Sequence, residues 1–208
     1  MGTEARLVFY APDSAAARAG ARTAFDRLAE LDSLLSHFRD DSEIAALARG
    51  SGAPMRVSDD LWAVLAVAQR VARETEGLFD VTRGRWRQLV MDSATQSVTS
   101  GIALDLGGIA KGYGADEALA VLRALGITAA LIEFGGELVA GDGPPGTEGW
   151  VVQVGDTTTT LANGAISTSG LGLAEGVSVS VRASSGLLAD PLATATALLR
   201  ASASPRDP

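Results

Sequence analysis

The segment from Leu104 to Asp116 carries the densest group of residues that could bind a phosphate. It predicts a strand that ends at Asp105, a Gly107-Gly108 turn and a helix that begins near Gly108. Such a turn lets the backbone approach a ligand, and the unpaired N–H groups of a helix start attract anions. Lys111 falls in the first helical turn, where a cation is unfavourable unless an anion pairs with it. The segment therefore predicts a phosphate or pyrophosphate site, with an ordinary tight turn as the alternative.

A second candidate lies further along the chain, at Asp190 and Thr194. Residues four apart on a helix lie near one face. Their two oxygens suit Mg²⁺, which takes few protein ligands and keeps waters and phosphate oxygens around it. Asp190 before Pro191 is also the ordinary pattern of a helix N-cap followed by proline at the first helical position. The two interpretations are compatible, because a capping carboxylate keeps lone pairs for a metal.

Three shorter segments offer polar side chains or close backbone turns. Each is interpreted either as part of a site or as a turn at the end of a strand. They are Thr75–Gly84, which contains Asp80 and Thr82, Ile132–Glu137 and Ile166–Gly170.

Composition restricts the remaining chemistry. Among 208 residues there is no cysteine, one histidine, His37, and one lysine, Lys111. The lack of cysteine excludes disulfides, thiolate nucleophiles and cysteine-ligated zinc or iron–sulfur clusters. A single histidine argues against multi-histidine metal sites and most Ser/His/Asp triads. The net charge of −8 argues against nucleic acid binding, which needs clustered positive charge.

No stretch of the sequence is apolar over the roughly 20 residues that a membrane-spanning helix needs. Residues 1–12 show no secretory signal pattern. We therefore expect a cytoplasmic location, or a periplasmic or membrane-anchored one if a targeting segment has been removed.

Helical and strand patterns are mixed along the chain, which predicts an α+β fold. Helices are expected over residues 13–36, 43–49, 58–74, 108–125 and 191–200. Strands are expected over 4–11, 128–134, 150–155, 158–162, 165–168 and 177–183, with a hairpin around Met91-Asp92-Ser93 and the strand ending at Asp105. Only the stretch 104–134 has a strand-helix-strand pattern. We expect a single domain of mixed sheets and packed helices over residues 1–201, and a mobile tail over 202–208.

Seven short motifs occur in order from end to end of the chain. They are Met1-Gly2-Thr3, Ser36–Glu43, Gly77–Gly84, Leu104–Tyr113, Gly135-Gly136-Glu137, Thr168-Ser169-Gly170 and Ala189–Thr194. In this order they resemble the motifs of the ApbE-type FAD:protein FMN transferases, and the block from Leu104 to Tyr113 is the most specific of them.

The resemblance implies an ApbE-like fold and a Mg²⁺-dependent enzyme. Such an enzyme binds FAD, cleaves its pyrophosphate and transfers FMN to a Thr or Ser hydroxyl of an acceptor protein, in a Ser/Thr-Gly-Ala-Thr context, with release of AMP. The resemblance also implies that Asp190, Thr194 and a backbone oxygen of Gly108 bind the metal, and that Asp190 and Lys111 are catalytic. The implied flavin-nucleotide contacts are Phe38, Leu78, Phe79, Asp80, Asp105, Gly107, Gly108, Lys111, Thr168 and Ser169. The composition agrees, because phosphoryl transfer depends on positioning and charge neutralisation more than on a covalent nucleophile.

The chain departs from the family pattern after Gly170. Members of the family have a His-Ile-x-Asp-Pro-x-Thr-Gly motif there, where this chain has Leu171–Gly176. His37 lies in a different block and is not assigned the role of that histidine. Two further hypotheses therefore stand beside the transferase: an FAD pyrophosphatase that releases FMN and AMP, and a non-catalytic flavin- or nucleotide-binding relative.

Overall fold

Five α-helices and ten β-strands make up the computed structural model, which describes residues 3–50, 52–170 and 178–203. The helices are α1 (Ser14–Leu35), α2 (Glu43–Arg49), α3 (Asp59–Glu74), α4 (Ala110–Ala124) and α5 (Gly186–Ala203). The strands are β1 (Ala5–Phe9), β2 (Met55–Arg56), β3 (Val90–Asp92), β4 (Ser97–Thr99), β5 (Ala130–Phe134), β6 (Glu137–Ala140), β7 (Trp150–Val154), β8 (Thr157–Leu161), β9 (Gly164–Ser169) and β10 (Val179–Ala183).

The main sheet has five strands in the order β1-β5-β6-β9-β10, and every neighbouring pair is antiparallel. A three-stranded sheet, β2-β4-β3, and the β7-β8 hairpin complete the strands. The β3-β4 pair confirms the hairpin expected around Asp92. This mixture of antiparallel sheets and packed helices confirms the α+β fold class. Within the described residues, no helix combines the length and the apolar character needed to cross a membrane.

Three apolar clusters hold the layers together. The first joins α1, α2 and α3 to buried side chains between residues 79 and 106, and the second packs α1 and α4 on one face of the main sheet. The third lies between the β7-β8 hairpin and the main sheet, around Trp150 and Leu161. Burial of these side chains supplies the main driving force for folding. It also fixes α4 and α5 against the sheet, which positions the site described below.

Local capping explains where two long helices begin. The Asp13 carboxylate accepts hydrogen bonds from Ala15 N and Ala16 N, both at 2.8 Å, at the start of α1. The Ser58 hydroxyl accepts one from Leu61 N at 3.2 Å at the start of α3. Both caps satisfy donors that the helix itself leaves unpaired, and they set the starts of α1 and α3 close to residues 13 and 58, where the sequence predicted these helices to begin.

The prediction of a strand that ends at Asp105 is wrong. Residues 103–106 belong to no helix or strand and lie outside every sheet. Leu104 and Leu106 are buried, and Asp105 N donates to Val81 O at 2.8 Å. Buried and less buried side chains alternate here as they do in a strand, but no neighbouring strand pairs with this segment. The predicted strand-helix-strand unit is therefore absent, and α4 follows a turn over residues 107–109.

The start predicted for the last helix is also wrong. Helix α5 begins at Gly186, so Pro191 lies inside it and Asp190 is not its N-cap. The carboxylate of Asp116, in α4, accepts hydrogen bonds from Gly186 N at 2.7 Å and Leu187 N at 2.8 Å. The start of α5 is therefore capped by a side chain from α4. No local pattern around residue 190 could indicate this contact.

Several predictions fall wholly or partly on residues outside the described ranges. These are Met1-Gly2 of the first motif, Leu171–Gly176, the first position of the strand expected over 177–183, and residues 204–208 of the expected tail. Residues 202 and 203 are the last two of α5. The short strands β2 and β6 were not among the expected elements.

A charged cluster ties three helices together around Arg27 of α1. Its guanidinium pairs with Asp60 of α3 and with Glu117 of α4, at 2.7 Å from Glu117 Oε2. The Tyr113 hydroxyl, on α4, donates to Asp60 Oδ1 at 2.6 Å. Burial and this hydrogen bond raise the pKa of Tyr113 far above its usual range, so the phenol stays a neutral donor.

We expect Tyr113→Phe to lower the free energy of unfolding by about 1 to 2 kcal/mol, because a charge-assisted bond in a partly buried cluster is lost. Urea denaturation followed by circular dichroism measures the change. The matched control is Tyr10→Phe, because Tyr10 is 52% exposed and the change there should stay within about 0.5 kcal/mol. Equal losses in the two variants would contradict the stabilising role of the Tyr113 hydroxyl.

Candidate functional site

The candidate site forms where α4 and α5 cross at two glycines. A Cβ atom added to Gly112 would lie 2.1 Å from Gly186 O, and one added to Gly186 would lie 2.4 Å from Gly112 O. The two backbones therefore touch with no side chain between them. This contact brings the first turn of α4, with Lys111, against the part of α5 that carries Asp190.

Lys111 lies between two buried carboxylates. Its Nζ donates to Gly107 O at 2.8 Å and lies 3.3 Å from Asp190 Oδ2 and 3.4 Å from Glu137 Oε1. The Lys111 side chain is 24% exposed, whereas those of Glu137 and Asp190 are only 3% and 4% exposed. With both carboxyls ionised, the cluster of one ammonium and two carboxylates has a net negative charge.

Asp190 also binds the start of α4 directly. Its Oδ2 accepts a hydrogen bond from Gly112 N at 3.1 Å, so the anion expected at this helix start is supplied by the protein itself. Burial raises the pKa of Asp190, and Lys111 and the Gly112 N–H oppose the rise by stabilising the charged form.

Glu137 is the first residue of β6 and pairs in register with Ser167 of β9. Its second oxygen, Oε2, and the Ser167 hydroxyl are both buried without a hydrogen-bond partner among the described residues. Burial raises the pKa of Glu137 to about 7 and Asp190 adds to the rise, whereas Lys111 and the neighbouring Ser167 hydroxyl oppose it. Unpaired buried oxygens are costly, and they mark a place where a ligand or an ion could bind.

The raised pKa of Glu137 predicts how the stability of the fold changes with pH. A carboxyl whose pKa is raised by folding stabilises the fold fully below the unfolded value of 4.5, and this contribution is lost as the pH rises to about 7. Relative to Glu137→Gln, wild-type protein should therefore lose stability between pH 4.5 and about 7 in metal-free buffer.

Thermal unfolding of the two proteins across this pH range tests the prediction. Glu133→Gln is the matched control, since Glu133 is exposed on the neighbouring strand β5 and should not change the pH profile. Parallel profiles for wild type and Glu137→Gln would contradict the raised pKa.

Two cavities meet at Gly107. One, of about 170 Å³, is lined by residues that include Thr3, His37, Phe38, Gly107 and Lys111. The other, of about 220 Å³, is lined by Leu78, Phe79, Asp80, Asp105, Gly107, Gly108, Thr194 and Leu198. We name the first the ring cavity, after the rings of His37 and Phe38, and the second the loop cavity, after the loop residues Leu78, Phe79 and Asp80.

Aromatic side chains stand at the mouth of the ring cavity. The rings of His37 and Phe38 lie with centroids 3.9 Å apart, and Phe38 is 79% exposed. His37 Nδ1 lies 3.9 Å from Asp105 Oδ1. Asp105 accepts from Arg83 Nη2 at 2.7 Å and from Gly107 N at 3.0 Å. Burial acts to raise the pKa of Asp105, but these hydrogen bonds outweigh it and lower the pKa.

Most of the residues expected in the site line these cavities or the Lys111 cluster. Phe38 and Lys111 line the ring cavity, and Gly107 lines both cavities. The expected site residues that line only the loop cavity are Leu78, Phe79, Asp80, Asp105, Gly108 and Thr194. Asp190 lies against Lys111.

Four of these residues have other partners or positions. The Asp80 carboxylate binds its own loop, accepting from Thr82 N at 2.8 Å and Gly84 N at 2.5 Å. Phe79 is buried, and its ring packs against Gly108. Thr168 and Ser169 line neither cavity, and the Thr168 hydroxyl bonds to Ser180 Oγ at 2.8 Å.

The structure brings into the site four residues that the sequence analysis included only within candidate segments or motifs, without giving them a role. Glu137 and Ser167 join the Lys111 cluster, and Thr3 and His37 line the ring cavity. One signal could have found Glu137, because a glutamate between a Gly-Gly turn and the apolar residues 138–140 is unusual unless it has a buried partner.

Oxygen atoms near Gly108 are of the type that could bind a divalent cation. A Cβ atom on Gly108 would lie 3.0 Å from Thr194 Oγ1, so the Gly108 backbone and the Thr194 hydroxyl are neighbours. Asp190 lies one helical turn before Thr194. Among the described residues no group of three or more His, Cys, Asp or Glu side chains is placed to hold a metal. A cation here would take one carboxylate, hydroxyl and backbone oxygens, waters and substrate phosphates, which suits Mg²⁺.

Comparisons with known proteins agree with this architecture. The model of the ApbE family matches residues 1–97 and 83–174. The FAD:protein FMN transferase of Treponema pallidum (strain Nichols) is 29% identical over 178 residues, covering 67% of this chain and 49% of that protein. The chain thus spans about half the length of this curated relative.

Solved structures show the same fold. The flavin transferase ApbE from Vibrio cholerae superposes with a TM-score of 0.81 at 22% identity, over 95% of this chain and 84% of that one. The ApbE protein from Thermotoga maritima gives a TM-score of 0.86 at 22% identity, over 97% and 85%. These likenesses confirm the ApbE-like fold expected from the motifs.

Proposed function

The chain belongs to the ApbE family, whose model matches it from residue 1 to residue 174, and from this premise we propose that it is a flavin transferase. With Mg²⁺ it takes FMN from FAD, joins it to a Thr or Ser hydroxyl of an acceptor protein, and releases AMP. The curated relative from Treponema pallidum is named an FAD:protein FMN transferase, which supports the proposed reaction.

One observation carries the proposal. The chain's lone lysine lies 3.3 Å from Asp190, and Thr194 lies beside Gly108 close by. A cation, a carboxylate and a hydroxyl thus converge next to the Gly107-Gly108 turn. Such a combination suits phosphoryl transfer, in which positioning and charge neutralisation do most of the work.

Different residues serve different parts of the proposed reaction. Asp190, Thr194 and a backbone oxygen of Gly108 would hold Mg²⁺, which when bound neutralises and orients the diphosphate oxygens. Lys111 lines the ring cavity and faces the negative charge of the same diphosphate. The acceptor hydroxyl oxygen bonds to the phosphorus of the FMN half, and its proton is lost to solvent. The bond from that phosphorus to the bridging oxygen breaks, and AMP leaves with the electron pair.

The ring cavity is the proposed position of the isoalloxazine ring. Phe38 and His37 offer flat faces at its mouth, and aromatic rings prefer offset or tilted stacking. Lys111 at the same cavity would then meet the phosphate chain that extends from the ring. The ligand would run from the aromatic mouth toward Gly107 and Gly108.

Mass spectrometry after incubation with FAD, Mg²⁺ and a peptide carrying the Ser/Thr-Gly-Ala-Thr motif tests the proposal. We expect covalent flavin on the peptide and one AMP for each flavin transferred, and both should disappear when EDTA removes the metal. FMN and AMP released in the absence of peptide would show a pyrophosphatase instead. If no product forms, the proposal is wrong. A rise in melting temperature with FAD and Mg²⁺ would then identify a non-catalytic binding protein.

A further inference from the structure

Glu137 is the buried charged residue of the site that the proposed reaction leaves without a role. Its Oε1 lies 3.4 Å from Lys111 Nζ, nearly the same as the 3.3 Å from that nitrogen to Asp190 Oδ2. The Lys111 ammonium is therefore shared between a carboxylate on the sheet, from β6, and one on helix α5.

The surroundings of Glu137 keep it in this position. It is the first residue of β6 and is paired to Ser167, so the strand register fixes its backbone. Its Oε2 and the Ser167 hydroxyl have no hydrogen-bond partner among the described residues. An ionised carboxylate this deeply buried is strongly unfavourable without a cation nearby, and Lys111 is that cation.

We propose that Glu137 is a positioning residue that draws Lys111 toward the sheet and so leaves the Asp190 carboxylate available to a divalent cation. The inference rests on the proposed function, in which Asp190 binds Mg²⁺. It assigns to Glu137 no contact with the metal or with the reacting atoms.

The charges of the cluster give the reason. With Glu137 ionised, one ammonium faces two carboxylates, and a divalent cation can replace part of what Lys111 supplies to Asp190. Without that charge Lys111 and Asp190 form a neutral pair, and an incoming cation has to compete with Lys111 for the same oxygens. At 3.3 Å in a partly buried site, the attraction between Lys111 and Asp190 is strong, so Lys111 competes effectively with a metal ion for these oxygens unless Glu137 shares its charge.

Binding of Mn²⁺ tests the inference without any turnover. Mn²⁺ takes the same oxygen ligands as Mg²⁺, and electron paramagnetic resonance reports the free ion. At about pH 8.5, where Glu137 carries its charge, Glu137→Gln should raise the Kd for Mn²⁺ about tenfold. Glu133→Gln, which removes the same charge from an exposed position on β5, should leave the Kd unchanged.

A double-mutant cycle shows whether Glu137 acts through Lys111. Lys111→Met removes the competing ammonium and should lower the Kd. In that background Glu137→Gln should raise the Kd by less than about threefold, because there is no ammonium left to position. An equal effect in both backgrounds would mean that Glu137 attracts the metal directly, and that result would overturn the inference, as would an unchanged Kd in Glu137→Gln alone.

Other results separate this inference from the proposed function. If wild type binds Mn²⁺, Asp190→Asn abolishes binding and Glu137→Gln does not alter it, the metal site stands and the role of Glu137 is wrong. If wild type does not bind Mn²⁺, the inference is wrong, and mass spectrometry for covalent flavin decides the proposed function separately. Circular dichroism checks that each variant is folded. If Glu137→Gln does not fold, Glu137→Asp replaces it. That variant keeps the charge but withdraws it from Lys111, so the inference then requires a higher Kd with Lys111 present and little change with Lys111→Met.

Discussion

Asp190→Asn should lower the rate of Mg²⁺-dependent FMN transfer by about a thousandfold while the protein stays folded. The amide has the same shape, and its oxygen can still accept the hydrogen bond from Gly112 N, which is 3.1 Å long in the wild type. It has no charge with which to hold a cation or to pair with Lys111. Initial rates at saturating FAD across a Mg²⁺ series, with circular dichroism as the check on folding, measure the effect.

Asp116→Asn is the matched control for Asp190→Asn. Asp116 is also a carboxylate at the α4-α5 contact and is half-buried. It accepts hydrogen bonds from Gly186 N and Leu187 N at the start of α5, and it lines neither the ring cavity nor the loop cavity. We expect this variant to lower the melting temperature and to keep the Mg²⁺ dependence. Full activity in Asp190→Asn would leave that residue with only its bond to Gly112 and would remove the metal site from the proposal.

The second large effect is on stability. Gly112→Ala should lower the free energy of unfolding by about 3 to 5 kcal/mol, although alanine alone favours a helix over glycine by about 1 kcal/mol. The new methyl would lie 2.1 Å from Gly186 O and 2.5 Å from Gly186 C, and backbone atoms of a packed helix cannot move aside as a side chain can. Urea denaturation measures the loss.

Gly20→Ala is the control for this change, because Gly20 is also a helical glycine in a crowded place. Its nearest neighbours are the ends of flexible side chains, Ile127 Cδ1 at 2.7 Å and Leu122 Cδ2 at 3.1 Å. These can shift, and the gain in helix propensity offsets the crowding, so the net change should stay within about 1 kcal/mol. If Gly112→Ala is no more destabilising than Gly20→Ala, the close contact of α4 with α5 is not needed for stability.

Features with a local cause could be predicted from the sequence. Asp13 and Ser58 cap the helices that follow them, since a cap needs only its own side chain and the next few backbone amides. Asp190 before Pro191 has the same local signature and is not a cap. There the capping carboxylate comes from Asp116, whose oxygens reach Gly186 N across 70 residues of sequence.

The residues of the site also fall into two groups, those that a local sequence pattern can predict and those that depend on tertiary contacts. Lys111, Gly107 and Gly108 could be predicted from one contiguous segment, in which a glycine turn precedes a helix start. The place of Glu137 depends on the register of β6 with β9 and on the approach of α4, and both are tertiary contacts. A local pattern can place a residue in an element, but the fold decides which charge it meets.

The contacts that fasten α5 to α4 also bear on the order in which the protein acquires its structure. Asp116 joins residues 70 and 71 positions away, and Asp190 meets Gly112 across 78 positions. Contacts of such long sequence separation carry a high loop-closure entropy and are slow to form unless the intervening chain has already become compact. We therefore expect the corner that would hold metal and phosphate to be among the last parts of the molecule to assemble, after strands β5 to β10, which lie between the two helices in the sequence, have formed.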